Sequence, residues 1–192
     1  MPFDYNDNYH RELDRRNELK AAVSTPVVVL ALLGSLLGYM FQNYQLALDL
    51  AGVIFGILAL WSIGAIGITA FFLARAIHGH TYKRLEGAII LREYHQALRE
   101  WHEKHGQGVP AADKEFDDYL ERSYAISGDH NARLNDKRSA DIFRAHRMMI
   151  YAAVLTGVTF LPFAYAILYQ NQNLASETKV DVNQTIYNQG DT

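Results

Sequence analysis

LAGVIFGILALWSIGAIGITAFFLA, Leu50 to Ala74, holds twenty-five residues without a charged side chain. As a helix it would be about 37 Å long at about 1.5 Å per residue, more than the roughly 30 Å hydrocarbon core of a bilayer. Two further runs flank it. PVVVLALLGSLLGYMF, Pro26 to Phe41, is also uncharged and extends through Ala21 and Gln42 to the length of a span. MMIYAAVLTGVTFLPFAYAILY, Met148 to Tyr169, places Tyr165 and Tyr169 as interface anchors and Pro162 where it kinks the distal third. The mean hydropathy of -0.11 hides these blocks because the rest of the chain is strongly polar. The fold class expected is an all-α membrane protein with three transmembrane helices and a helical cytoplasmic region built from extensions of the spans.

Lysine and arginine set the expected topology, since they are retained on the cytoplasmic side. Residues 1–24 carry Arg11, Arg15, Arg16 and Lys20, the 79–147 connection carries twelve, the 43–49 link has none, and the tail after Tyr169 has only Lys179. The organisation predicted is a cytoplasmic helix at 1–23, spans at 24–42, 50–76 and 148–169, and a cytoplasmic helical region at 77–147. An external link at 43–49 and an external polar tail at 170–192 complete it. A mixed-charge stretch, rather than a short basic one, precedes the first span, which predicts a retained anchor.

Within the polar parts, residues 8–23 form a helix that runs into the first span. Thr81 to Lys104 places Ile90, Leu91, Tyr94, Leu98 and Trp101 on one face, as in an amphipathic helix continuing out of the second span. HGQGVPAAD (105–113) reads as a glycine and proline loop. A short helix follows with Phe116, Tyr119 and Leu120 inward, closed by Ser127-Gly128. From Asn131 no breaker appears before Met148, so one helix returns the chain to the third span.

Chemistry is limited by what is missing. The chain has no cysteine, so thiolate zinc sites, disulfides and cysteine nucleophiles are excluded. His102 and His105 have metal-ligand spacing, but no HExxH-type pattern completes a site, and they read as surface or packing residues together with His78, His80 and His95. The spans hold Ser35, Ser62, Thr69, Thr156 and Thr159 with no acid or histidine beside them, which argues against an enzyme and implies neither metal nor cofactor.

Gly34-x-x-x-Gly38 and Gly52-x-x-x-Gly56, with Gly64 and Gly67, offer flat faces for close helix approach, within the chain or in a homo-oligomer. Spans of this kind with scattered hydroxyls such as Thr69 suit a pore gated by a hydrophobic constriction. Asp49 would form a carboxylate ring at its outer mouth, or serve as a helix N-terminal charge. Basic residues near the inner face, Lys83, Arg84, Lys137, Arg138, Arg144 and Arg147, would hold anionic headgroups or the phosphates of a nucleotide or oligonucleotide. Gly79, between the second span and its extension, is the expected hinge.

YHRELDRRNELKAAVSTPVVVLALLGSLLGYMF (9–41) and NDKRSADIFRAHRMMIYAAVLTGVTFLPFAYAI (135–167) resemble the opening and re-entry segments of small multi-pass effectors of bacterial anti-phage defence, Hailong-type or SLATT-like. SLATT proteins usually show two spans, and three are read here. The resemblance implies an oligomeric bacterial membrane effector, partnered with a nucleotidyltransferase or another sensor and held or released by a nucleotide or oligonucleotide signal; the lysine and arginine asymmetry places the expected N-terminus in the cytoplasm and the C-terminus outside the inner membrane. The function expected is a gated ion-conducting pore controlled through cytoplasmic helices. The alternative is a non-conducting adaptor or receptor subunit that recruits a cytosolic partner.

Overall fold

Capping and proline chemistry divide the first forty residues into two helices. Asp4 accepts the Asp7 backbone N–H at 3.0 Å and starts α1 (Tyr5–Ala22). Pro26 has no N–H to return to the Ala22 carbonyl, so the chain turns at Val23, Ser24 Oγ donates to the Ala21 carbonyl at 2.7 Å, and α2 (Ser24–Asn43) begins. The predicted run of the first helix into the span therefore has one interruption. The computed structural model describes residues 3–44, 50–106 and 108–189, with side-chain surroundings through Tyr169. Among these residues the chain is helical and has no strands.

α3 (Leu50–Ile77) stops where Gly79 adopts a left-handed φ of 83°, a conformation that costs other residues a steric clash. Residues 78–87 are not helical, and α4 (Ala88–Lys104) starts after Gly87. This corrects the expectation of a helix continuing from the second span through Thr81. α5 (Val109–Gln189) corrects two more expectations. It begins inside the predicted loop, because Pro110 is compatible with a first helical turn, and it passes through Ser127-Gly128 without a break. Gly128 serves a helix contact instead: an added Cβ would lie 3.2 Å from Asn8 Nδ2 and 3.7 Å from Tyr9 Cα.

Three stretches, Tyr5–Asn43, Leu50–Ile77 and Val109–Tyr169, are long and apolar enough to cross a membrane. The chain divides into two compact units. Unit 1 joins Met1–Ser24 to Leu73–Phe143, and unit 2 joins Thr25–Phe72 to Arg144–Thr192. Because α1 packs on α5 within unit 1, its two segments lie on the same side of any bilayer that α2 and α3 both cross.

In unit 2 the spans meet along alternating three- and four-residue steps. On α3 these are Gly52, Phe55, Ala59, Ser62, Ile66 and Thr69; on α5 they are Ala145, Met149, Ala152, Thr156, Thr159, Phe163 and Ala166. A mean step of about 3.5 residues keeps one seam facing its neighbour along the whole contact. Leu37 and Met40 of α2 close the core at one end against Phe55 and Phe163, and Tyr44 stacks on Phe55 with centroids 4.1 Å apart.

Candidate functional site

Unit 1 buries a polar network beside apolar residues such as Tyr9, Leu73 and Ile142. Asn131, Asn135 and Arg138 succeed one another on one face of α5, all at most 4% exposed. Asn131 bridges the irregular connector by accepting the Lys83 N–H and donating to the Lys83 carbonyl, both at 3.0 Å. Asn135 donates to the Glu12 carbonyl at 2.7 Å and to Glu12 Oε2 at 2.9 Å, which brings in α1. Between them the Tyr82 hydroxyl donates to Asn135 Oδ1 at 2.6 Å and accepts from Arg138 Nη1 at 2.8 Å. Arg138 Nε donates to the Ala76 carbonyl at 2.9 Å, at the negative end of α3, where a cation is favoured. The Arg16 guanidinium also lies over the Tyr82 ring, 5.3 Å from its centroid. At the edge of the network Arg15 donates to Asp136 at 2.8 Å, and this bond raises the Arg15 pKa above its ordinary value. Arg75 pairs with the buried carboxylate of Asp141 at 3.4 Å.

The predicted basic residues are distributed over both units. Lys83, Arg84 and Lys137 are exposed in unit 1, while Arg138 is inside the network. Arg144 and Arg147 are exposed in unit 2, and the Arg144 guanidinium lies 5.9 Å from the Phe72 ring centroid. The Asn131, Asn135 and Glu12 members were not singled out from the sequence, although the N-x-x-x-N-x-x-R spacing from Asn131 to Arg138 was its signal: amides and a guanidinium on one helix face need partners when buried. Gly79 terminates α3 and so delivers Tyr82 and Lys83 to this network.

The histidines engage neighbours within the chain. His95 Nε2 is 2.8 Å from Asp113 Oδ1, and its ring stacks on Phe116 with centroids 4.3 Å apart. His102, 5% exposed, is 2.9 Å from Glu115 Oε2, and His105 stacks on Trp101 at 4.2 Å. Nδ1 of His78 and Nε2 of His80 lie 3.2 and 3.1 Å from the carbonyls of Ala74 and Arg75. Asp113 also accepts from Arg99; the His95 bond foremost, then Arg99, holds its carboxyl below the ordinary value of 3.8.

Unit 2 separates hydroxyls from glycines. Ser62, Thr69, Thr156 and Thr159 are fully buried. Ser62 and Thr159 hydroxyls stand 3.2 Å apart across the α3–α5 seam, and Thr69 donates to the Ala65 carbonyl at 2.8 Å. The glycines face away. A Cβ added at Gly34, Gly38, Gly56, Gly64 or Gly67 would meet nothing within 4 Å, and Gly157 on α5 is equally open. Gly52 instead lies buried on the seam. Gly64 floors an apolar groove of about 540 Å³ between Trp61 and Leu60 on α3 and Met148, Tyr151 and Leu155 on α5. Asp49 lies outside the described residues.

No protein-family model, no curated protein and no solved structure matches the chain.

Proposed function

We propose that this chain is a subunit of an oligomeric membrane effector whose spans assemble around a gated ion-conducting pore, with unit 1 as its cytoplasmic control element. The open glycines carry this reading. Small residues allow close helix approach, and glycine weakens a helix by about 1 kcal/mol relative to alanine, yet five of the predicted glycines meet no neighbour within the chain. Only 17, 28 and 22% of the three apolar windows is buried within the chain, which leaves room for packing between copies. Ser62, Thr69 and Thr159 are hydrogen-bonded inside each subunit and Thr156 is buried, so the wall of such a pore is largely apolar and closes by dewetting. The exposed cations Lys83, Arg84 and Lys137 offer phosphate-binding charge to a nucleotide signal. The resemblance to anti-phage effectors supplies the setting, a bacterial inner membrane and a nucleotidyltransferase partner.

The test is expression in bacteria loaded with a potential-sensitive dye, with Gly64→Leu and Gly38→Leu alongside. Depolarisation that the leucine variants abolish, at unchanged membrane insertion, supports the pore. An undisturbed potential under every triggering condition, with the protein oligomeric, leaves the adaptor reading, which the exposed Ile89, Ile90 and Trp101 on α4 favour.

A further inference from the structure

The apolar groove floored by Gly64 is continued at one end by arginines. Its α5 wall is Met148, Tyr151 and Leu155, and one turn before Met148 the same stripe reaches Arg144. Its α3 wall is Trp61, Gly64 and Ile68, and one turn beyond Ile68 stands Phe72, with the Arg144 guanidinium 5.9 Å from its ring centroid. Arg147, exposed like Arg144, is four residues before the rim residue Tyr151. All of these residues belong to unit 2. From Arg144 to Leu155 the helix rises by about 16 Å at about 1.5 Å per residue, close to half of the roughly 30 Å hydrocarbon core. Groove and arginines together have the length of one leaflet.

We propose that this groove seats an acyl chain of an anionic phospholipid whose phosphate is held by Arg144 and Arg147. Length and charge select the occupant. A span of another copy would pack along the full core, whereas the groove covers half of it. Such a span also brings no anion to the arginines: residues 25–72 and 144–169 contain Asp49 as their single acid, immediately before α3 in the sequence and at the end away from Phe72. A bilayer phosphate supplies the missing charge, and basic pockets between membrane helices are where anionic headgroups bind. Guanidinium suits a phosphate because it donates two parallel N–H bonds to it. Gly64 lets the chain lie against the helix backbone, since a Cβ there would project into open space. The inference requires that the spans cross a bilayer but not that they form a pore; where copies pack over Gly64, the lipid lies between them.

Trp61 in the groove wall is a built-in reporter, because the only other tryptophan is Trp101. The full-length chain carrying Trp101→Phe is reconstituted in phosphatidylcholine vesicles that contain an equal fraction of either phosphatidylglycerol or phosphatidylcholine with brominated acyl chains. Quenching of Trp61 several-fold stronger by the phosphatidylglycerol is the expected result. Arg144→Gln with Arg147→Gln should reduce it to the phosphatidylcholine level at unchanged helix content, and Arg92→Gln, exposed on α4, should leave it intact. Equal quenching by the two lipids with both arginines present reports bulk contact and overturns the site, whatever the variants do. Selectivity that survives the double substitution overturns the headgroup assignment, and absence of quenching by either lipid gives the groove to another copy. A chain that does not float with the vesicles removes the membrane reading itself, whereas an undisturbed cell potential beside selective quenching removes the pore and keeps the lipid.

Discussion

The guanidinium of Arg138 donates through Nε to the carbonyl of Ala76 at 2.9 Å, so a side chain of α5 closes the C-terminal end of α3. The same side chain supports the Tyr82 hydroxyl. Hydrogen bonds to a charged group contribute about 1.5–3 kcal/mol, so Arg138→Met should destabilise unit 1 by about that amount. The exposed neighbour substitution Lys137→Met should stay within about 0.5 kcal/mol. Thermal protease resistance of the 78–87 connector measures both; equal effects would deny Arg138 its bracing role.

Gly79 should tolerate substitution in the order asparagine before alanine. No atom obstructs a Cβ there, so the cost is the left-handed backbone, about 1–2 kcal/mol for alanine and less for asparagine. The strained alanine variant should draw residues after Ile77 into helix and release the connector backbone from Asn131, so that trypsin cuts faster at the already exposed Lys83 and Arg84. If Gly79→Ala also leaves gating unchanged, the hinge role must be dropped.

The Ser62–Thr159 pair lends itself to a double-mutant cycle. Each hydroxyl carries one proton and also lies within reach of a carbonyl of its own helix, Leu58 and Leu155 respectively, so whichever donates across the seam gives up its own-helix bond and regains it when the seam separates. Polar pairs between membrane helices couple by about 0.6 kcal/mol on average, with a maximum near 1.7. Ser62→Ala and Thr159→Val should therefore show coupling in that range by reversible unfolding in mixed detergent, and additive losses would rule the bond out as a stabilising contact.

Acid should loosen the α4–α5 hairpin through Asp113. Its folded pKa is depressed, so its contribution is present above the ordinary value of 3.8 and is lost as pH falls through the lower folded value. Asp113→Asn should raise hydrogen exchange in α4 at pH 5 and converge with the unsubstituted protein below that folded value. An identical difference at both pH values would assign the effect to packing on Phe116 rather than to charge.

The spans were legible because twenty-five uncharged residues from Leu50 allow few alternatives to a buried or membrane helix. The termini of the polar helices were less so. Glycine has two uses that sequence alone does not separate: Gly79 takes a positive φ and ends a helix, whereas Gly128 lies inside one and admits α1 closely. The α4 face was found as a single stripe because Ile90 and Leu91 are equally apolar, and only the position of α5 distinguishes the packed residue from the exposed one. The Asn131–Arg138 network is hard to read from sequence for a related reason. Asparagine and arginine read as solvent-facing until a third segment brings Tyr82 and a backbone carbonyl to meet them.

The bonds from Glu12 and Arg15 to Asn135 and Asp136 join positions 123 and 121 residues apart. At a synthesis rate of about 5–20 residues per second, α1 leaves the ribosome roughly 6–25 s before its partners exist. During that interval the two apolar helices α2 and α3 are made. If both cross a bilayer, α1 and the start of α5 are returned to one side and unit 1 can close; a chain that inserts only one of them would hold these segments on opposite sides, unable to meet. Closure of unit 1 would in that sense register an even number of crossings.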